Sequence, residues 1–232
     1  MRGGEDGRGG GSGIRILITG GPTVEDIDPV RFLGNRSTGR MGIALARTAV
    51  ALGLEARLIL GPTHLAPPPE VETIGIRSAG EMLQAVLANF SWCDALVMAA
   101  AVADYTPVQP MKGKIKKNGA DFILRLKRTE DILFRVGRLP ERRGKCLIGF
   151  SLDVGENVEE GRRKLREKGL DMVLVNSVAA FGAQRVRSSI VSLGGEEDLG
   201  ELDKEELADI LFARAIRFFD QNAWQRTATC QA

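Results

Sequence analysis

The chain has 232 residues, 44% of them hydrophobic and 27% charged, which suits a sizeable core and excludes a disordered, collagenous or disulfide-stapled protein. Lys and Arg number 32 against 30 Asp and Glu, so the net charge of +2 gives no general attraction to nucleic acid or an anionic membrane. Three scattered cysteines, no CxxC pair and a single His64 argue against a structural zinc site and for a reduced, cytoplasmic setting.

Residues 1–13 are Gly-rich, lack the apolar core of a secretory signal, and read as a flexible leader. Residues 14–19 form an apolar run ending in Gly20-Gly-Pro22, the pattern of a buried strand. Met41, Leu45, Ala49 and Leu52 recur at helical spacing and stop at Gly53. Residues 56–60 and 71–76 predict two further strands. Ser78-Ala-Gly-Glu81 has capping-box spacing and opens a helix to about Asn89, followed by a strand over 95–99. No apolar run is long enough to span a bilayer.

The middle of the chain breaks this rhythm. Residues 104–118 hold two prolines and Lys114-Ile-Lys-Lys117 and read as a long mobile loop. Phe122, Leu124 and Leu126 alternate with other residues and predict a strand outside the parallel series. A strand over 145–150, a polar helix over 157–168 and strands over 172–175 and 190–193 follow. Asp203-Lys-Glu-Glu206 opens a last amphipathic helix carrying Leu207, Ile210, Leu211 and Ile216 on one face. Strands alternating with helices predict an α/β fold: a Rossmann-like, doubly wound, mostly parallel sheet with helices on both faces. A loop-and-strand excursion near 104–128 interrupts it, and a strand that leaves its own sheet is suited to pairing with a second copy in a homodimer. The expected organisation is a leader over 1–13, one domain over 14–220 and a tail over 221–232.

Ligands in such sheets sit beyond the carboxyl ends of the strands. Neither GxGxxG nor GxxxxGK[ST] occurs, which argues against a redox Rossmann enzyme and a Walker-type NTPase. Ser37, Thr38 and Gly39 precede a helix start beside Arg31, Arg36 and Arg40; this is either an anion site at a helix mouth or an ordinary cap with solvated arginines. Asn35 either orients a carbonyl or phosphate or satisfies its own backbone. In Ala99-Ala-Ala-Val-Ala-Asp104 the small residues admit a flat ligand and Asp104 offers a carboxylate, or the stretch is close packing ending in a turn. Lys114-Ile-Lys-Lys117 is a phosphate-grasping flap, a nucleic-acid patch or a solvated charge run; 5% aromatic content weakens the second reading. Lys164 and Lys168 share a helix face and repel unless an anion lies between them, with a solvated face as the alternative.

Six segments together give the chain an identity: Asp28-Pro-Val-Arg-Phe32, Asn35-x-Ser-x-Gly-x-Met-Gly42, Ala99-Ala-Ala-Val-Ala-Asp104-Tyr105, Lys114-Ile-Lys-Lys117, Gly149-Phe150 and Lys164-x3-Lys168-x2-Asp171. The set resembles phosphopantothenoylcysteine synthetase, the coenzyme A enzyme that often forms the second half of a bifunctional bacterial protein. The resemblance implies a ligase that joins 4'-phosphopantothenate to L-cysteine through an acyl-cytidylate, with CTP and Mg2+ and without flavin in this chain. It implies Lys114, Lys164 and Lys168 on the triphosphate, Ala100, Asp104, Asp131, Ile132 and Phe150 around the nucleotide, Asn35 on the acyl group and Arg31 toward the substrate phosphate. Met41 after Gly39-Arg40 matches the bacterial, CTP-using version. It further implies a homodimer and a flavin-dependent decarboxylase domain or partner. The chain departs from the family's usual residues at Glu130, Ser177 and 181–187. The alternative class is a non-catalytic nucleotide-binding or regulatory protein on the same fold.

Overall fold

A computed structural model describes residues 13–117, 119, 121–153, 157–177 and 185–229. In chain order the elements are β1 (Arg15–Gly20), β2 (Val24–Asp26), β3 (Phe32–Gly34), α1 (Arg40–Ala51), β4 (Glu55–Leu60), β5 (Glu72–Gly75), α2 (Ala79–Phe90), β6 (Ala95–Met98), β7 (Tyr105–Pro107), β8 (Leu126–Arg128), α3 (Ile132–Val136), β9 (Cys146–Asp153), α4 (Val158–Lys168), β10 (Met172–Ser177), β11 (Arg185–Ser192), β12 (Gly195–Asp203) and α5 (Lys204–Thr229). The main sheet runs β12-β11-β10-β9-β6-β1-β4-β5. From β10 to β5 every pairing is parallel, whereas β11 and β12 are antiparallel.

The expected Rossmann-like sheet is present, with a helical layer on each face. One layer packs Leu45, Leu207, Leu211 and Phe212 of α1 and α5 on Ile16, Ile18 and Ile148. The other packs Met82, Val86 and Phe90 of α2, with α3 and α4, on Leu17, Leu96 and Leu147. Leu17, Leu45, Leu96 and Phe212 are fully buried, each stabilising the fold by about 1.5–3 kcal/mol relative to exposure. Successive β1 side chains alternate between the two cores because a strand points neighbours to opposite faces.

Helix ends follow the sequence signals. Ser78 Oγ accepts from Glu81 N, and the Glu81 carboxylate reaches one residue past the box geometry, to Arg77 N. At α5 the box closes fully: Asp203 accepts from Glu206 N while Glu206 accepts from Asp203 N. α5 extends to Thr229, past the end of the apolar pattern read from the sequence.

Three expectations change. The strand expected over 122–126 begins only at Leu126, and it pairs with β7 of its own chain. Phe122 and Ile123 stay exposed, so burial does not drive them into a strand, and Thr129 N and Val108 N complete the local pairing instead. The loop after Asp104 is therefore structured where β7 lies. The short strand expected over 190–193 is part of a long hairpin, β11–β12, turning at Leu193 and Gly194. The β2–β3 hairpin also forms, over residues for which the sequence predicted no element. The leader over residues 1–12 and the divergent stretch over 181–184 lie outside the described residues.

Candidate active site

β1 leaves the sheet at Gly20, and the chain then runs beside the segment that leaves β6. Ala101 N donates to Gly21 O at 2.9 Å, and Thr23 N returns the bond to Ala101 O at 3.1 Å. Buried threonines secure the pair: Thr19 Oγ1 accepts from Ala100 N and Thr23 Oγ1 from Ala103 N. Backbone contact this close needs residues without bulk. A Cβ on Gly42 would lie 2.6 Å from Gly20 Cα, and one on Gly61 would lie 1.8 Å from Pro22 O.

This packing brings the start of α1 to the strand ends. Gly39 caps α1 with φ 80, no side chain caps its amides, and no acidic residue sits in its first turn. Free first-turn N–H groups next to Arg40 favour an anion. A cavity of about 190 Å³ opens there, bounded by Ser37, Thr38, Arg40 and Met41, by Ala99–Ala101, by Phe150, Ser151 and Leu152, and by Asn176, Val186 and Lys204. One rim is cationic, the floor is three alanines, and one wall is aromatic. That combination suits a flat ligand bearing a charged tail.

Several residues singled out in the sequence meet here. Ala100 and Phe150 line the cavity. Asn35 Nδ2 donates to Ala101 O at 3.0 Å and Val102 O at 3.1 Å. Both hydrogens of that amide are engaged, and Oδ1 is the atom left over. Asp104 follows directly, its carboxylate exposed and its carbonyl accepting from Thr129 N. Lys164 Nζ reaches Ser151 Oγ on the cavity wall at 3.0 Å, with Glu160 at 3.8 Å.

Others lie apart from the cavity walls. Lys168 pairs with Asp131 at 2.7 Å, while Asp131 also caps α3 through Phe134 N. The lysine pair therefore divides: Lys164 toward Ser151, Lys168 toward a carboxylate. Ile132 is only 3% exposed and packs in the core; burial drew its side chain inward. Arg31 is bound to Asp28 at 2.7 Å and reaches Ile115 O. Lys114 is exposed on the loop next to Ile115. Glu130, at one of the departures, pairs with Arg135 at 3.5 Å.

The sequence reading missed Asn176, Ser151 and Lys204 as wall residues. The first two follow apolar strand runs, and a polar residue at a parallel strand's carboxyl end is itself a signal. Ser188, fully buried, donates from Oγ to Asn176 Oδ1 at 2.8 Å across the β10–β11 ladder, so the Asn176 oxygen is engaged there. Lys204 arrives through the antiparallel hairpin and α5, which no local pattern placed there. Burial, and then the Arg40 cation, hold its ammonium below the usual lysine range. A second cavity, about 570 Å³, shares Arg40 and Lys204 but lies along α1 toward Arg47 and Leu65, away from the alanine floor.

A family model described as the DNA/pantothenate metabolism flavoprotein C-terminal domain matches residues 11–218. The chain is 43% identical over 172 residues to the coenzyme A biosynthesis bifunctional protein CoaBC of Bacillus subtilis, covering 74% of this chain and 42% of that protein. It is 37% identical over 223 residues to the Mycobacterium tuberculosis protein of the same name, covering 89% and 53%. It thus spans about half the length of these curated relatives. Among solved structures, the C-terminal domain of a CoaBC protein superposes with a TM-score of 0.78 at 35% identity, covering 91% of this chain and 98% of that one. The fold, the six motifs and these matches converge: the chain belongs to the family of the DNA/pantothenate metabolism flavoprotein C-terminal domain.

Proposed function

We propose that the chain is a phosphopantothenate–cysteine ligase acting in coenzyme A biosynthesis. In the first step a carboxylate oxygen of 4'-phosphopantothenate attacks the α-phosphorus of CTP and pyrophosphate leaves, giving an acyl-cytidylate. In the second the amine of L-cysteine attacks the acyl carbon, the amide forms, a proton is lost and CMP leaves. The first step brings two anions together and so requires cations. The uncapped start of α1 with Arg40, and Lys164 beside Ser151, supply them at the cavity, and Lys114 supplies another from the loop. Mg2+ arrives on the triphosphate as part of the substrate.

The base lies on the Ala99–Ala101 floor against Phe150, with Asp104 toward a polar edge of the nucleotide. Asn176, held by Ser188, offers amide hydrogens to acceptors of cytosine, and CTP is preferred because a mismatched base leaves such groups unpaired. Asn35 serves the acyl group and Arg31 the substrate phosphate. Two copies associate through the small hairpins, where Val30, Phe32, Tyr105, Val108, Ile123 and Leu126 are exposed. Among the described residues no helix is long and apolar enough to cross a membrane. A flavin-dependent decarboxylase domain or partner supplies the other half of the bifunctional relatives.

The observation that carries this reading is the cavity at the uncapped α1 terminus, floored by alanines and adjoining the Asn35 bonds. Pyrophosphate release, measured with CTP and with ATP, should require 4'-phosphopantothenate and favour CTP. Nucleotide binding without turnover would place the chain among non-catalytic proteins on this fold. Light scattering at micromolar concentration should show a dimer.

A further inference from the structure

The ligase reading places Lys114 on the triphosphate but leaves open what fixes a lysine that stands exposed on a loop. The carboxylate of Asp28 is fully buried. It accepts four bonds: from Val30 N and Arg31 N at 2.8 Å, from Arg31 Nη1 at 2.7 Å and from Ile115 N at 3.1 Å. The first three fold the turn on itself. The fourth reaches 87 positions along the chain, to the residue after Lys114. The Arg31 guanidinium closes the ring by donating to Ile115 O. A second stitch, Met111 N to Ile27 O at 2.8 Å, holds the other end of the same segment. The backbone on both sides of Lys114 is thus tied to the turn over residues 27–31.

We propose that Asp28 is the positioning residue of Lys114: its buried carboxylate grips the Ile115 amide and so sets where the lysine meets the nucleotide. The idea rests on the ligase reading for the role of Lys114, while the tether itself rests on the geometry. Asp28 touches no substrate. A carboxylate that accepts four donors is the suitable group, because no neutral side chain of that size accepts on both oxygens. In Asp28→Asn the amide in place of Oδ2 would face the N–H of Ile115 and the Arg31 guanidinium, three donors against one another. Without the tether the lysine loses its fixed approach, and misplacement by an ångström typically costs about 100-fold in rate.

The test combines a physical and a kinetic arm. Trypsin cleavage at residues 112–117 should run several-fold faster in Asp28→Asn than in the parent, at equal melting-checked folded fraction. Pyrophosphate release at saturating 4'-phosphopantothenate should fall about 100-fold in Asp28→Asn. In a Lys114→Gln background the same change should cost less than about threefold, because residues acting as one unit are not additive. Losses that multiply, or unchanged cleavage, would overturn the proposal. Should Asp28→Asn fail to fold, Arg31→Gln opens the same ring from its half-exposed side and is read by trypsin alone, with unchanged cleavage again overturning it. A parent enzyme without pyrophosphate release would sink the ligase reading, and the trypsin arm would still decide the tether.

Discussion

Asn35→Ala should separate the two half-reactions of the proposed ligase. When cysteine's amine attacks the acyl-cytidylate, negative charge grows on the acyl oxygen, and one well-placed N–H donor there is worth about 2.7–4 kcal/mol. Asn35 does not hold its amide in reserve: it donates to Ala101 O and Val102 O at 3.0 and 3.1 Å. Handing a hydrogen to the acyl oxygen costs the net value of those bonds, about 1–2 kcal/mol for two. The difference, about 1–3 kcal/mol, corresponds to roughly 5- to 150-fold in transfer. Activation depends instead on cations against the triphosphate and should change by less than about threefold. Stability should fall by about 1 kcal/mol, or roughly 2–4 °C in Tm, because both bonds are solvent-exposed. Mass spectrometry of a quenched single turnover with CTP and 4'-phosphopantothenate should show the acyl-cytidylate building up and decaying slowly once cysteine is added. Equal losses in both steps would refute the reasoning. The amide would then act only by holding the loop at Ala101 and Val102.

Lys164→Gln should raise the KM for CTP more than Lys168→Gln does, since Lys164 reaches the cavity wall while Lys168 faces Asp131; steady-state kinetics of the two variants decide it. Asp171→Ala should lower Tm by roughly 6–12 °C: it strips a largely buried Arg142 of its carboxylate and Leu147 N of its acceptor, at a cost of about 3 kcal/mol. Burial alone would raise the Asp28 carboxyl, but the amides of Ile115, Val30 and Arg31 and the Arg31 charge outweigh it and hold the group below the usual carboxylate range. A lowered folded value contributes stability above the unfolded pKa of about 3.9 and loses it as pH falls through the folded value. The stability gap between parent and Asp28→Asn should therefore be flat above about pH 5 and close below about pH 4 in denaturant titrations. Burial pushes the Cys93 thiol up to about 11 and the Cys146 thiol higher still, so a Cys230→Ser protein should show almost no fast reaction with a disulfide reagent at pH 8 until denatured.

The parallel core was legible because its strands are short apolar runs, two of them closed by glycine and proline, as at residues 14–22 and 56–62. The hairpins were not. β2, β3, β7 and β8 are three residues each and carry exposed side chains, so no period can build up. β12 hid behind Glu196, Glu197 and Asp198, whose charges pair with Arg162, Arg214 and Arg187 and leave no apolar alternation. At the site, Asn35, Ala100 and Phe150 were visible as residue types, but the bond joining Asn35 to Ala101 spans 66 positions and exists only once β1 and β6 lie side by side. Ile132 shows the converse: a motif residue that packing claims for the core.

Gly20 and Gly42 set the gap between β1 and the first helix, and Gly61 the gap between the end of β4 and Pro22, with no side chain in between. The depth of the proposed anion-binding mouth is therefore governed by steric spacing as well as by charge. An alanine at position 42 would meet Gly20 Cα at 2.6 Å and drive the helix start outward, yet it would alter no donor, no cation and no hydrogen-bonding partner. A scan of polar residues alone would leave such positions untouched. Under the proposed ligase reading, how tightly a polyphosphate seats is governed in part by three positions that carry no side chain to touch it.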